Sequence, residues 1–172
     1  MNALLKRIGV TTLLAAVTIG LAASAGAAEK KKLVYSKTAR QTVMEAKMAA
    51  GGIPERELVQ SVYIDTCRSA DREFDGMEER VYGQDENSAG GNGIHRGYAV
   101  DQLKSGDQLF QRYEGRHRFV AKEGGTWEVT YEGKAEVIGG TGKYKNAHGW
   151  IDYKGRITPD GLTEEDVGEI AY

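Results

Sequence analysis

The longest strict alternation of apolar and polar positions in this chain runs from Thr126 to Ile138. Trp127, Val129, Tyr131, Gly133, Ala135 and Val137 fall on one side, and Glu128, Thr130, Glu132, Lys134 and Glu136 on the other. Successive side chains of a strand point to opposite faces, so the pattern predicts a strand with a core side and a wet side. Gln108–Val120 repeats it, with Leu109, Gln111, Tyr113, Gly115, His117 and Phe119 opposed to Arg112, Glu114, Arg116 and Arg118. Further strands are predicted over Glu57–Cys67, Gly76–Gly83, Ile94–Gln102, Ala147–Ile157 and Thr163–Tyr172, with Leu33–Tyr35 as a short eighth. Turn signals separate them: Ser105-Gly106-Asp107, Gly124-Gly125, Gly139-Gly140-Thr141-Gly142 and Pro159-Asp160-Gly161. Two segments break the pattern. Thr38–Ala50 carries good helix formers and ends at Gly51-Gly52 and Pro54, which predicts one short helix able to plug a barrel end. The polar, glycine-rich Asp85–Gly93 reads as a mobile loop.

Charge selects a register for the central strands. Antiparallel pairing that sets Arg116 opposite Glu132, Glu114 opposite Lys134 and Arg112 opposite Glu136 joins unlike charges, whereas a two-residue slip sets Glu114 against Glu132. For the next hairpin, Lys134 against Asp152 and Glu132 against Lys154 do the same on the wet face. On the core face that register opposes Tyr131 to Gly155, Gly133 to Tyr153, Val137 to Gly149 and Val129 to Ile157. Large residues facing small ones suit a strongly curved sheet, and closure removes exposed edges. The expected fold is all-β, an eight-stranded antiparallel barrel, favoured over an open sandwich.

The N-terminus changes the picture of where the chain resides. Lys6-Arg7 precede an apolar run from Ile8 to about Ala23 that ends in Ser24-Ala25-Gly26-Ala27-Ala28. This is the pattern of a secretory signal cut after about Ala27, and the run is shorter than a spanning helix needs. Residues 1–27 are thus expected to be a signal peptide, 28–55 an extension bearing the short helix, and 56–172 the barrel domain. The expected destination is the periplasm or the exterior, with no stable membrane insertion after cleavage. Of 23 Lys and Arg only Lys6 and Arg7 lie in the signal, and none of the 25 Asp and Glu does, so the remainder is net acidic. That balance argues against nucleic acid as a partner. Cys67 is the single cysteine, so no internal disulfide can form, and it reads as a packed strand residue.

Motifs for cofactor or metal chemistry fail on inspection. Gly139-Gly140-Thr141-Gly142-Lys143 is followed by Tyr144 rather than Ser or Thr, and by a strand rather than a helix, so it is no phosphate loop but a tight hairpin turn. Asp85-Glu86-Asn87 begins like a calcium loop, but Ala89 and Arg96 stand where later ligands belong. His95, His117 and His148 have no close ligand spacing, so a zinc site would have to be assembled in three dimensions. No cofactor and no metal are expected. The predicted register turns His117 inward opposite Tyr131, with Tyr113 and Tyr153 nearby and Trp127 towards the rim, which makes these five the candidate ligand-binding residues. His117 is the candidate proton-transfer group, because an imidazole titrates near neutral pH.

The strand–Gly139-Gly140-Thr141-Gly142-Lys143–strand segment, with Gly97-Tyr98-Ala99-Val100-Asp101 and Gly106–Gly115 upstream, resembles the allene oxide cyclase and dirigent-like barrels in their secreted bacterial form. The likeness spans about Ile94 to Tyr153. It implies an eight-stranded barrel with a central cavity, sometimes a homo-trimer, and relatives that act on reactive small molecules. Three functions follow as expectations. The first is binding of a small apolar or aromatic molecule in the cavity. The second is a cofactor-independent cyclase or isomerase using the same cavity, and the third a structural or interaction protein with a filled barrel.

Overall fold

A computed structural model describes residues 28–172, so the expected signal segment lies outside the described residues. Eight antiparallel strands close into a barrel in sequence order: β1 (Lys30–Ala49), β2 (Glu57–Arg68), β3 (Glu78–Asn87), β4 (Gly93–Gln102), β5 (Gln108–Ala121), β6 (Trp127–Gly140), β7 (His148–Thr158) and β8 (Gly161–Ala171). Closure of β1 on β8 through Lys30–Lys37 gives every strand two neighbours and removes the long open edges that a flat sheet would expose.

The pairing predicted from charge is the pairing found. β5 and β6 meet with Arg112, Glu114 and Arg116 opposite Glu136, Lys134 and Glu132. β6 and β7 oppose Glu132 to Lys154, Lys134 to Asp152, Tyr131 to Gly155 and Gly133 to Tyr153. Arg112–Glu136 (2.5 Å) and Lys134–Asp152 (3.4 Å) close as ion pairs on the wet face. Such exposed pairs are worth up to about 1 kcal/mol each, so they choose the register rather than hold the fold.

Thr38–Ala50 is not a helix. It belongs to β1, which pairs with β8 through Lys30–Lys37 and with β2 through Ser36–Ala49. Residues 28–55 are therefore no extension, because β1 is the strand that closes the barrel. The misreading has a physical cause. Register shifts at Lys37/Ala39 and Thr42/Met44 interrupt the ladder. The cavity-lining residues then fall at Lys37, Arg40, Thr42, Glu45 and Lys47, a mixed spacing that masks the period of two. Pairing with β2 along Ala39–Ala49, continuous with the β8 ladder at Lys30–Lys37, overrides local helix propensity. Likewise, Asp85–Asn87 are strand rather than loop, and only Ser88–Asn92 turn between β3 and β4.

The two barrel ends differ. Three connections at one end, β2–β3, β4–β5 and β6–β7, help bury Phe74, Met77, Leu103, Leu109, Tyr144 and Ile170, each at most 2% exposed. This packed end does the work assigned to the absent helix. Gly139–Lys143 forms its latch: Thr141 Oγ1 accepts from the Gln108 amide (2.8 Å), Gly142 takes φ +54°, and Lys143 pairs with Glu73. Tyr144 donates its hydroxyl to Glu73, and Lys31 pairs with the same carboxylate (2.5 Å). Cys67 is fully buried beside this plug, and burial pushes its thiol pKa up, so it is inert packing.

Candidate functional site

Beyond the plug, the interior opens into a cavity of about 520 Å³ that reaches the opposite end. Its wall is built by a rule visible in the pairing. One rung of neighbouring inward positions reads Val59, Asp85, His95, Gly115, Gly133, Tyr153, Asp166. The next reads Glu57, Asn87, Gly93, His117, Tyr131, Gly155, Glu164, Lys37. Each ring lies over a glycine of an adjoining strand. A Cβ on Gly133 would fall 2.2 Å from the Tyr153 hydroxyl, one on Gly155 2.5 Å from Tyr131, and one on Gly115 2.6 Å from His95 Nε2. Glycine here gives rings room to lie against the backbone and keeps the lumen open.

Four of the five candidate binding residues, Tyr113, His117, Tyr131 and Tyr153, line this cavity together. Trp127 does not line it; it stacks on Phe119 near the mouth (ring centroids 6.4 Å). The structure adds His95, centred among the rings. It stacks on His117 (5.8 Å, 22°) and stands 5.7 Å from Tyr153, 6.1 Å from Tyr113 and 6.1 Å from Tyr131. Tyr131 donates its hydroxyl to Glu164 (2.6 Å), and Tyr153 shares a hydrogen bond with His95 Nε2 (2.8 Å). Burial pushes the pKa of both phenols up, so they stay neutral.

Deeper in, sequence reading missed a buried ionic floor. Lys37 contacts Glu79 (2.5 Å) and Glu164 (2.6 Å), with Asp166 at 3.9 Å. Burial opposes the Lys37 ammonium, but Asp166, Glu164 and Glu79 outweigh it and hold its pKa well above the usual value. One cation cannot neutralise four carboxyls. Burial, reinforced by neighbouring carboxylates, pushes Asp101 and Asp166 far up and Glu79 up, towards the protonated form. Glu164 moves down: Lys37 and Tyr131 overcome its burial. Gln111 donates to Asp101 (2.5 Å), and Arg40 forms a two-pronged pair with Asp65 (2.8 Å at both oxygens) while its guanidinium lies 3.7 Å over the Tyr63 ring. A detectable signal existed. Leu162, Glu164, Asp166, Gly168 and Ile170 alternate with exposed residues along β8, so two acids share the face of the core residues.

The register also assembles what spacing could not. Asp85, His95 and His117 come from three adjacent strands and bring one potential ligand atom each within 4.8 Å of one another. His148 stands apart, exposed, with Nδ1 near the Asn146 carbonyl (3.2 Å). Burial pushes Asp85 up to about 6 and His95 down to about 4, with His117 adding to the latter, and it lowers His117 as well. Both imidazoles are therefore neutral near pH 7, with a nitrogen lone pair available. No family model matches the chain, and no curated protein matches it.

Proposed function

We propose that this protein is an exported barrel that binds one small apolar or aromatic molecule in its central cavity. The observation that carries the reading is the open cavity of about 520 Å³, within the range of small-molecule sites, walled by Tyr63, Tyr113, Tyr131 and Tyr153. The hydroxyls of Tyr131 and Tyr153 are engaged by Glu164 and His95, which leaves ring faces and edges to meet a ligand. Val59, Val81, Val129 and Ile157 fill the wall between them. A volume of this size also argues against a barrel filled by its own side chains. Export rests on the Lys6–Ala28 signal pattern, and the resemblance to allene oxide cyclase and dirigent-like barrels supports the same ligand class.

The test is native mass spectrometry of protein from its export compartment, followed by titration with a naphthalene-type fluorescent probe. One probe per barrel, abolished by Val129→Trp at the cavity wall, is the expected result. A barrel that takes no probe, or a probe indifferent to the blocking residue, sinks the reading.

A second reading, cofactor-independent isomerase or cyclase chemistry, is favoured by Glu164 and Asp166. Both line the cavity, and their environments push their pKa values in opposite directions, the arrangement of a base beside an acid. Incubation of the protein with the molecule it carries distinguishes the two. Conversion that stops in Glu164→Gln supports catalysis, and unchanged ligand supports binding alone.

A further inference from the structure

We propose that Asp85, His95 and His117 form a site for one divalent transition-metal cation on the inner wall of the barrel, with its open coordination positions facing the cavity. The site stands on these three side chains and does not depend on which organic molecule the cavity takes.

Two imidazoles and one carboxylate are a donor set for zinc, cobalt, nickel or ferrous iron rather than for calcium or magnesium, which prefer oxygen throughout. Metal–ligand bonds of about 2.0–2.2 Å hold ligand atoms roughly 3–4 Å apart. The three groups already lie within 4.8 Å, so small side-chain rotations complete the approach. Asp85 and His95 are direct partners across β3 and β4, and His117 stands one rung away on β5. Rigid strands, not loops, therefore set the spacing.

The surroundings orient the ligands. The Asn87 side-chain amide donates to Glu57 (3.4 Å) and turns its oxygen to His117 Nε2 (2.8 Å). An amide oxygen only accepts, so His117 Nε2 carries the proton and Nδ1 keeps the lone pair. His95 likewise uses Nε2, on the Tyr153 hydroxyl, and leaves Nδ1. A ligating histidine held through its second nitrogen is the common arrangement at metal sites. Gly93 and Gly115 make it possible here, since a Cβ at either would meet these rings at 2.9 and 2.6 Å. The Asp85 carboxylate makes no hydrogen bond or ion pair among the described residues, although it faces inward and is mostly removed from water. A bound cation supplies the partner that this carboxylate lacks.

The experiment uses full-length protein without a polyhistidine tag, stripped with chelator. Cobalt(II) is titrated in and followed by visible absorption, then displaced by zinc(II) under calorimetry. The expected result is one cation per barrel with the intensified spectrum of nitrogen-ligated cobalt. Asp85→Asn, His95→Ala and His117→Ala each weaken binding more than about 100-fold, Asn87→Ala about 10–100-fold, and His148→Ala not at all. Histidine side-chain NMR of the unmutated protein reads the same site without any variant, with zinc moving the His95 and His117 signals and leaving His148 in place. Absence of cobalt uptake by the unmutated protein overturns the proposal. So does binding that survives the His95→Ala/His117→Ala double variant, or that moves the His148 signal instead.

Discussion

The packed end and the open half of this barrel are built from the same eight strands and solve opposite problems. At the packed end the inward positions are Leu109, Ile170 and Leu33, and the loops add Phe74, Met77 and Tyr144. Dispersion and burial hold it together there, and Glu73, Lys31, Lys143 and Tyr144 join in one polar latch across the plug. In the open half, inward positions alternate rings, glycines and ionisable groups. That interior retains polar groups which a core designed for stability alone would replace with aliphatic ones. The contrast teaches that packing is concentrated at one end while the other keeps an unfilled lumen lined by rings and ionisable groups.

Substitutions that break this division separate the two halves by their readouts. The largest effect is expected at Tyr144, a fully buried ring of the plug. Tyr144→Ala loses about 3–5 kcal/mol in urea denaturation, while the folded fraction still binds the fluorescent probe. A loss below about 1 kcal/mol breaks the view of this end as the anchor. Next is Gly142→Ala. Its φ of +54° and a Cβ only 1.9 Å from the Asp107 carboxylate make the latch intolerant of a side chain. A cost of about 1–3 kcal/mol is expected, read as a lower midpoint at unchanged slope.

At the ionic floor, where the two halves meet, the effects depend on pH. Asp101 has its folded pKa raised, so the native state holds a proton that the unfolded chain releases above about pH 4. Stability must then fall as pH rises from the unfolded pKa towards the folded one. Asp101→Asn removes that fall, at a gain of up to about 1.4 kcal/mol per pH unit over the window. Melts at pH 4, 5.5 and 7 check it, and a constant difference between variant and parent contradicts the assigned protonation. The smallest effect on stability is expected from Phe119→Ala at the mouth, where the ring is 38% exposed. It costs under about 1 kcal/mol, yet it alters probe affinity, the reverse of the Tyr144 outcome.

The legibility of the sequence follows the same division by face. Outward charges such as Arg116 and Glu132 gave a register because a slip juxtaposes like charges, and the strand bounds of β5 to β7 came with it. The inward rings Tyr113, His117, Tyr131 and Tyr153 came from the same alternation. β1 was hidden because two register shifts disrupt its period and its residues favour helix in isolation. The ionic floor was hidden because Lys37, Glu79 and Glu164 lie on three different strands, and only closure of β1 on β8 brings Lys37 against Glu164. Asp85 and His95 carry no linear signature, since their meeting depends on the pairing of β3 with β4.

The pairing of Tyr131 and Tyr153 with glycines on the neighbouring strand has a consequence for how this lumen can diverge. Tyr131 and Gly155 occupy adjacent places on one rung, as do Tyr153 and Gly133. Exchanging the two members of a rung transfers a phenol from one strand to the next while the total volume of the pair is conserved, the kind of change that packed interiors accept best. The lumen therefore behaves as a combinatorial lattice with movable rings. Descendants can redraw the outline of the cavity by paired swaps, without touching the plug at the packed end.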